Sequence, residues 1–462
     1  MSQPLFGASR RSFLKITGRV AAATTLAGTT FSGVHAAEDN TIRIALVGCG
    51  GRGGGAAANA MSVKGVPIQL VAMADVFPNR LAGCFGSLSQ RFAGQMEVPE
   101  ERKFLGFDAY RKAMDCLRPG DVVILATPPA FRWVHFTYAI EKGLNVFMEK
   151  PVTVDGPTSR RMFELAKRSV EKNLKVGVGL MSRHSRSLQE LAKRVHDGEI
   201  GEIIHQRGYR MHGPIGFFAS LPKPEGISEL KYQVQRFHSF LWAGGGCYSD
   251  FYIHIIDHLS WLKNDWPIKA QGLGGRHYRV GPEGVPYVDQ NFDVYAIEYT
   301  YPDGSKMSFD GRCMTGCQDI YSSYLHGSKG SAIASRNGDC GMPSAIFKGQ
   351  LPDRSQQVWE SQVAPEEQDP YQNEWNALIA AILKDQPHNE VERGVRASLV
   401  TSMGRMAAHT GQEVTYEDIL NCDHEMAPGL DQLTDDSPAP LQAGPDGRYP
   451  VPMPGITTSR EY

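Results

Sequence analysis

Gly48, Gly50 and Gly53 stand in G-x-G-x-x-G spacing at the end of a β-branched and apolar run, inside Thr41–Gly55 (TIRIALVGCGGRGGG), and the small residues Ala56, Ala57 and Ala58 follow. A strand that empties into such a turn and a helix start suits a pyrophosphate. The first glycine lets the chain turn, the second lets backbone approach the phosphates, and the third lets the helix pack on its strand. Gly51 and Arg52 lie within the same turn, at the positive end of the expected helix dipole. A second group of chemistry-bearing residues is Asp250, His254 and Asp257, in the run GGGCYSDFYIHIIDH from Gly244 to His258. At helical spacing the three share one face. A histidine there can take a hydroxyl proton and return it, because its unperturbed pKa is about 6.5. Asp250 either orients that histidine or hydrogen-bonds a substrate.

The elements that must position these residues read as alternating strands and helices. Ile68–Ala74 is a strand ending in Asp75, where a dinucleotide fold expects an acid for the adenosine ribose. Such an acid repels a 2′-phosphate, so NAD is the expected cofactor; Arg80 is near enough to leave NADP open. Helices are expected over Tyr110–Leu117 and Phe136–Lys142, and strands over Val122–Ala126, Asn145–Met148 and Leu174–Gly179. The alternation implies a doubly wound parallel sheet, with ligands beyond the strand ends at Thr127, Pro128, Glu149 and Lys150. From Gln271 onward, strands Ala296–Thr300 and Lys306–Asp310 flank the turn Pro302-Asp303-Gly304, which points to an antiparallel sheet. Glu374–Leu383 and Val395–His409 read as amphipathic helices.

Taken together, the VGCGGRG turn, the acid after the second strand, the ATPP turn, VFMEKP and DFYIHIID resemble the Gfo/Idh/MocA oxidoreductases over residues 41–420. The resemblance implies an α/β Rossmann domain plus an α+β domain with a large, mostly antiparallel open sheet, and a carbohydrate or cyclitol substrate between them. It implies that Lys150 touches cofactor and substrate and stabilises alkoxide character as hydride leaves carbon. It also supports His254 as general acid/base with Asp250 beside it. Arg183 and His184 enter a loop that borders substrate in this family. Tyr209, Arg210 and His212, which follow an expected strand, and Arg236, Phe237 and Trp242 are further candidate sugar readers. Many relatives carry histidine after the T-P turn where this chain has Arg132, which then contacts an anion or points to solvent. Three activities fit: hydroxyl oxidation or reduction, glycoside hydrolysis through transient oxidation and elimination, or sugar binding without turnover. The resemblance further implies a homo-oligomer paired through the open face of the second sheet.

The N-terminal SRRSFLK, an apolar run over Val20–Gly33 and Val34-His35-Ala36 read as a twin-arginine signal peptide over residues 1–37. The twin-arginine (Tat) export machinery is then a partner, the location periplasmic or otherwise exported, and tightly retained cofactor the expected answer to scarce NAD outside the cytoplasm. The expected domains are 38–155 for the nucleotide, 156–422 for the substrate and a Pro- and Gly-rich tail, 423–462, that is extended or disordered or wraps a partner subunit. A net charge of -2 gives no footprint for nucleic acid. No later segment reads as a membrane span, and no Cys and His spacing suggests a metal site. Cys313 and Cys317 read as thiols rather than a bridge.

Overall fold

The structure, a computed structural model, describes residues 40–277 and 280–462. The signal segment expected at residues 1–37 lies outside the described residues. Six strands form a parallel sheet: β1 (Ile42–Val47), β2 (Ile68–Asp75), β3 (Lys103–Leu105), β4 (Val122–Leu125), β5 (Asn145–Met148) and β6 (Val176–Val178). Their order is β3-β2-β1-β4-β5-β6, so the winding direction reverses between β1 and β4. A crevice opens at that reversal, outside the strands' carboxyl ends. β4 and β5 are buried at every position, as strands covered by helices on both faces must be.

The first domain extends beyond the expected boundary at residue 155. β6 pairs in parallel with β5, and the helix Gly156–Glu171 is the crossover between them. That helix starts on Asp155, whose carboxylate accepts from the Thr158 backbone N–H at 2.9 Å. The helix expected from Phe136 begins earlier, at Arg132, directly after the turn Pro129–Phe131.

Nine strands form the second sheet: β7 (Ile203–His212), β8 (Lys269–Gly275), β9 (Val294–Thr300), β10 (Lys306–Cys313), β11 (Ile320–Gly327), β12 (Ser331–Ser335), β13 (Ala345–Phe347), β14 (Gln357–Glu360) and β15 (Val414–Thr415). Every neighbour pair is antiparallel except β7 and β10. β9 and β10 alternate buried and half-buried residues, so one face is covered and the other open. The helices Gly246–Lys263 and Val391–Thr410 cover the inner face, and the second also packs on the helix Gly156–Glu171, joining the two sheets. The helix Pro370–Leu383 returns to the first domain, where Trp375 stacks on Phe147 with ring centroids 4.6 Å apart.

The tail beyond residue 422 has little regular secondary structure, yet it is tied to the body. Its final glutamate, Glu461, is buried against Arg405 and His409. Burial alone would raise the Glu461 pKa, but Arg405 outweighs it and holds the carboxyl down at about 2. Among the described residues no helix is long and apolar enough to cross a membrane, and all eight cysteines are free.

Candidate active site

One cavity of about 510 Å³ runs from the glycine turn to the helix Gly246–Lys263. At its start, Gly48 has φ of +98°, and a Cβ on Gly53 would lie 1.9 Å from the Gly48 carbonyl oxygen, so only glycine fits either place. By contrast, a Cβ on Gly50 or Gly51 would meet nothing within 4 Å. These two residues begin the helix Gly51–Met61, which has no side-chain cap, so its first N–H groups face open space. An anion fits this cradle. The cavity then passes Asp75, whose carboxylate accepts from the Cys49 N–H at 2.7 Å and the Phe77 N–H at 2.9 Å. Arg80 lines the same cavity, donating to the Gln235 carbonyl at 3.1 Å and lying over Phe77. The Asp75 carboxylate, held by two backbone N–H donors on the cavity wall that it shares with Arg80, suits a ribose hydroxyl pair. The residues present fit a dinucleotide.

Thr127, Pro128, Glu149, Lys150 and Asp250 line the remaining walls. Arg52 folds back onto Glu149 at 2.6 Å and lies over the Tyr371 ring. Arg132 neither meets the cavity nor points to solvent. It is fully buried and donates to the Leu125 and Thr127 carbonyls at 2.6 and 2.9 Å, tying down the end of β4. Burial lowers its pKa to about 10. One turn further along the same helix, His135 reaches the cavity and lies 3.2 Å from the Thr127 hydroxyl.

At the far end Lys150 Nζ donates to the Asp250 carbonyl at 2.6 Å and lies 3.4 Å from the Asp250 carboxylate. The other Asp250 oxygen is 3.1 Å from His238 Nε2. His238 Nδ1 accepts the Phe217 backbone N–H at 3.1 Å, which places the imidazole proton on Nε2, facing Asp250. Burial would raise the Asp250 pKa; Lys150 and His238 outweigh it and hold the carboxyl well below the usual range. His254, one turn deeper, does not line the cavity and is buried with Nδ1 unpartnered. Burial, reinforced by the Lys150 charge, pushes its pKa down to about 3, so it is a neutral imidazole at pH 7. Asp339 also acts on His254, and it belongs to a cluster in which the Tyr321 hydroxyl donates to Asp339 and Arg210 reaches both.

Several other sequence candidates are placed away from the cavity. Arg183 donates to both Asp257 oxygens at 2.8 Å, and Asp257 is fully buried. His184 Nε2 lies 3.1 Å from Glu390, which also accepts the Val178 N–H and so links β6 to the helix Val391–Thr410. Arg236 donates to the Ser220 hydroxyl and the Ala219 carbonyl, supporting the 215–220 loop from behind. Tyr209 lies within β7 rather than after it. A Cβ on its neighbour Gly208 would meet Ile255 and Leu259, so alternation turns Tyr209 to the opposite, open face, where it packs near Tyr324. Arg210 and His212 also lie within β7, on the helix-covered side with Gly208, and neither lines the cavity.

His238, His135, Tyr321 and Asp339 carry no local motif. Only strand parity, which places Arg210 opposite Tyr209, was a usable signal for this group.

A parallel nucleotide fold joined to a largely antiparallel sheet, with a Lys–Asp–His cluster closing their shared cavity, defines a two-domain nucleotide-binding protein. Residues 42–180 match the family GFO_IDH_MocA, described as an oxidoreductase family with an NAD-binding Rossmann fold. Over these residues the chain is similar to the NAD-binding domain of that family. Among curated relatives, an inositol 2-dehydrogenase of Corynebacterium glutamicum is 31% identical over 113 residues, 24% of this chain and 33% of that protein. A glycosyl hydrolase family 109 protein of Streptomyces coelicolor is 26% identical over 186 residues, 39% of this chain and 36% of that protein. The chain therefore spans about a third of the length of these relatives. In fold, it is similar to the scyllo-inositol dehydrogenase of Lactobacillus casei solved with NAD(H) and scyllo-inositol: TM-score 0.58, 20% identity, covering 82% of this chain and 99% of that one.

Proposed function

We propose that the protein is an NAD-dependent oxidoreductase acting on a CH–OH group of a carbohydrate or cyclitol. The observation that carries this reading is the placement of Lys150 and Asp250 at the end of the cavity that begins at the glycine turn. When bound, the nicotinamide supplies hydride acceptance and donation. Lys150 presents a cation where alkoxide character develops on the substrate oxygen, a kind of contact worth roughly 10²–10³ in rate. Asp250 holds Lys150 and is itself held by His238. His254 lies one turn behind this wall, neutral at pH 7 with one nitrogen unpartnered, and burial and Lys150 outweigh Asp250 and Asp339 in making it a weak base; it takes the hydroxyl proton only where a substrate oxygen reaches it. The chain's likeness to inositol dehydrogenases supports a polyhydroxylated ring as substrate.

The twin-arginine segment and the signature Val34-His35-Ala36 support export with NAD(H) already bound and retained between turnovers. The test is mass spectrometry of small molecules released on denaturing purified protein, followed by NADH absorbance with a panel of cyclitols and aldoses. Stoichiometric NAD and a sugar-dependent absorbance change are expected. Full turnover by protein that neither contains nor binds NAD would defeat the proposal. The similarity to a family 109 glycosyl hydrolase favours a second reading, glycosidic cleavage through transient oxidation. Release of the aglycone with no net change in NADH would select it.

A further inference from the structure

The tail, residues 423–462, contributes to the cavity wall that also carries Asp75. Leu430, Asp431 and Leu433 line the same cavity as Asp75 and Phe107. The short turn Leu430–Gln432 packs on Pro129–Phe131, and Leu430 is buried in the first domain's apolar core. The segment is held on both flanks. Before it, Arg161 pairs with Glu425, and the Met426 N–H donates to Asp155 at 2.9 Å. After it, Lys231 pairs with Asp435 at 2.9 Å, Gln233 donates to the Leu441 carbonyl at 2.7 Å, and Gln290 donates to the Pro450 carbonyl at 2.7 Å. The far end is fixed by the buried pairing of Glu461 with Arg405 and His409.

We propose that Leu430, Asp431 and Leu433 form a cofactor-binding wall for the adenosine half of NAD, and that the tail's anchorage sets how slowly the cofactor leaves. This inference rests on the reading that the cavity holds NAD. Its physical basis is that adenine presents a flat, largely apolar surface. In a nucleotide fold that base lies beyond the acid at the end of β2, and Leu430 and Leu433 are apolar groups on that side. Asp431 adds an acceptor for a base N–H. A wall of this kind is part of one rigid unit only while its flanks are held, so releasing an anchor opens it without removing any group that touches the ligand.

The probes are NADH, AMP and nicotinamide mononucleotide, with binding followed by fluorescence and by competition. A Leu430→Ala/Leu433→Ala variant is expected to release NADH about tenfold faster in a chase with excess NAD, which corresponds to losing part of two apolar contacts. It should weaken AMP binding and leave nicotinamide mononucleotide binding unchanged. A Glu461→Gln variant, which alters only the distant anchor, is expected to speed NADH release in the same direction by a smaller factor. Circular dichroism and a cooperative melt establish that each variant is folded. Unchanged NADH release in the folded double variant would overturn the wall, while equal weakening of both half-ligands would show a general loss of structure and also overturn it. Failure of the unaltered protein to bind NADH would instead overturn the reading of the cavity itself.

Discussion

Asp250 and Asp257 lie two turns apart on one face of the same helix, and both are buried against cations. Asp250 shares Lys150 and His238 at the far end of a cavity, whereas Asp257 is closed off by a two-point contact from Arg183 beneath Trp261 and Trp266. The two partners suit the two settings. Arginine's planar fork satisfies a carboxylate completely and leaves little for a ligand. Lysine's three-donor ammonium meets Asp250 through the carbonyl at 2.6 Å and the carboxylate at only 3.4 Å, so a donor direction remains for another oxygen. Residue type and helical spacing are alike at the two aspartates; the partner's geometry and the cavity separate a reactive cluster from a structural one.

The largest effect should come from breaking the sealed pair. Arg183→Ala leaves Asp257 buried with no counter-charge, which is expected to cost about 3–5 kcal/mol of stability. Urea denaturation measures the loss, and turnover per folded molecule should stay near that of the unaltered protein. A large fall in kcat with unchanged stability would move Arg183 into the reaction and dissolve the contrast. Lys150→Ala should do the reverse. It is expected to lower kcat by roughly 10²–10³ while NADH binding, read by fluorescence, persists. Wild-type turnover in that variant would remove the basis of the site.

His238 sharpens the comparison, because it meets Asp250 through a ring N–H rather than through a lysine or arginine. His238→Leu removes a hydrogen bond to an ionised carboxylate, an interaction worth about 1.5–3 kcal/mol. We expect kcat to fall about tenfold or more, the KM for substrate to change less, and His238→Gln, which can restore an N–H donor, to recover part of the loss. Equal kcat in the leucine and glutamine variants would argue that the ring serves only to pack against Phe251 and Phe237.

Much of this geometry was legible where physics acts over a few residues. The glycine turn, the acid at the end of β2 and the helical phase of Asp250 and His254 depend on backbone requirements that fix spacing. Arg183 and Asp257 were visible as residues but not as a pair, since they meet across 74 positions of chain. His238 was silent because its tautomer is set by the Phe217 backbone and its role by Asp250, neither of which leaves a local pattern. The tail misleads for a different reason. Its Pro- and Gly-rich composition resembles that of a disordered segment, yet sparse residues such as Leu430, Leu441, Tyr449 and Glu461 are each buried by distant partners. The strand Leu174–Gly179 was legible, but its parallel pairing with β5 leaves no local pattern, so the domain boundary was drawn too early. Tyr209 was misplaced although strand parity alone forbids it and Arg210 from facing the same side.

The mildest test concerns what lies between the two aspartates. His254 sits within reach of the fields of Lys150, Asp339, Arg210 and Asp250, and burial with the lysine charge sets its folded pKa at about 3, below an unfolded value of about 6.5. A group with its pKa lowered on folding binds more protons when unfolded. Its contribution to stability is therefore complete above about pH 6.5 and is lost as pH falls toward 3, at a limiting slope of about 1.4 kcal/mol per pH unit. His135 and His258, lowered to about 3 and 4 by burial, carry the same sign. Urea midpoints measured from pH 7 to pH 4.5 should therefore fall, and His254→Gln should make that fall shallower by one proton's worth. An unchanged slope would mean that His254 is protonated in the folded protein, paired with Asp250 or Asp339 as an imidazolium. In that case it would start the cycle as an acid, giving its proton to a carbonyl oxygen during reduction.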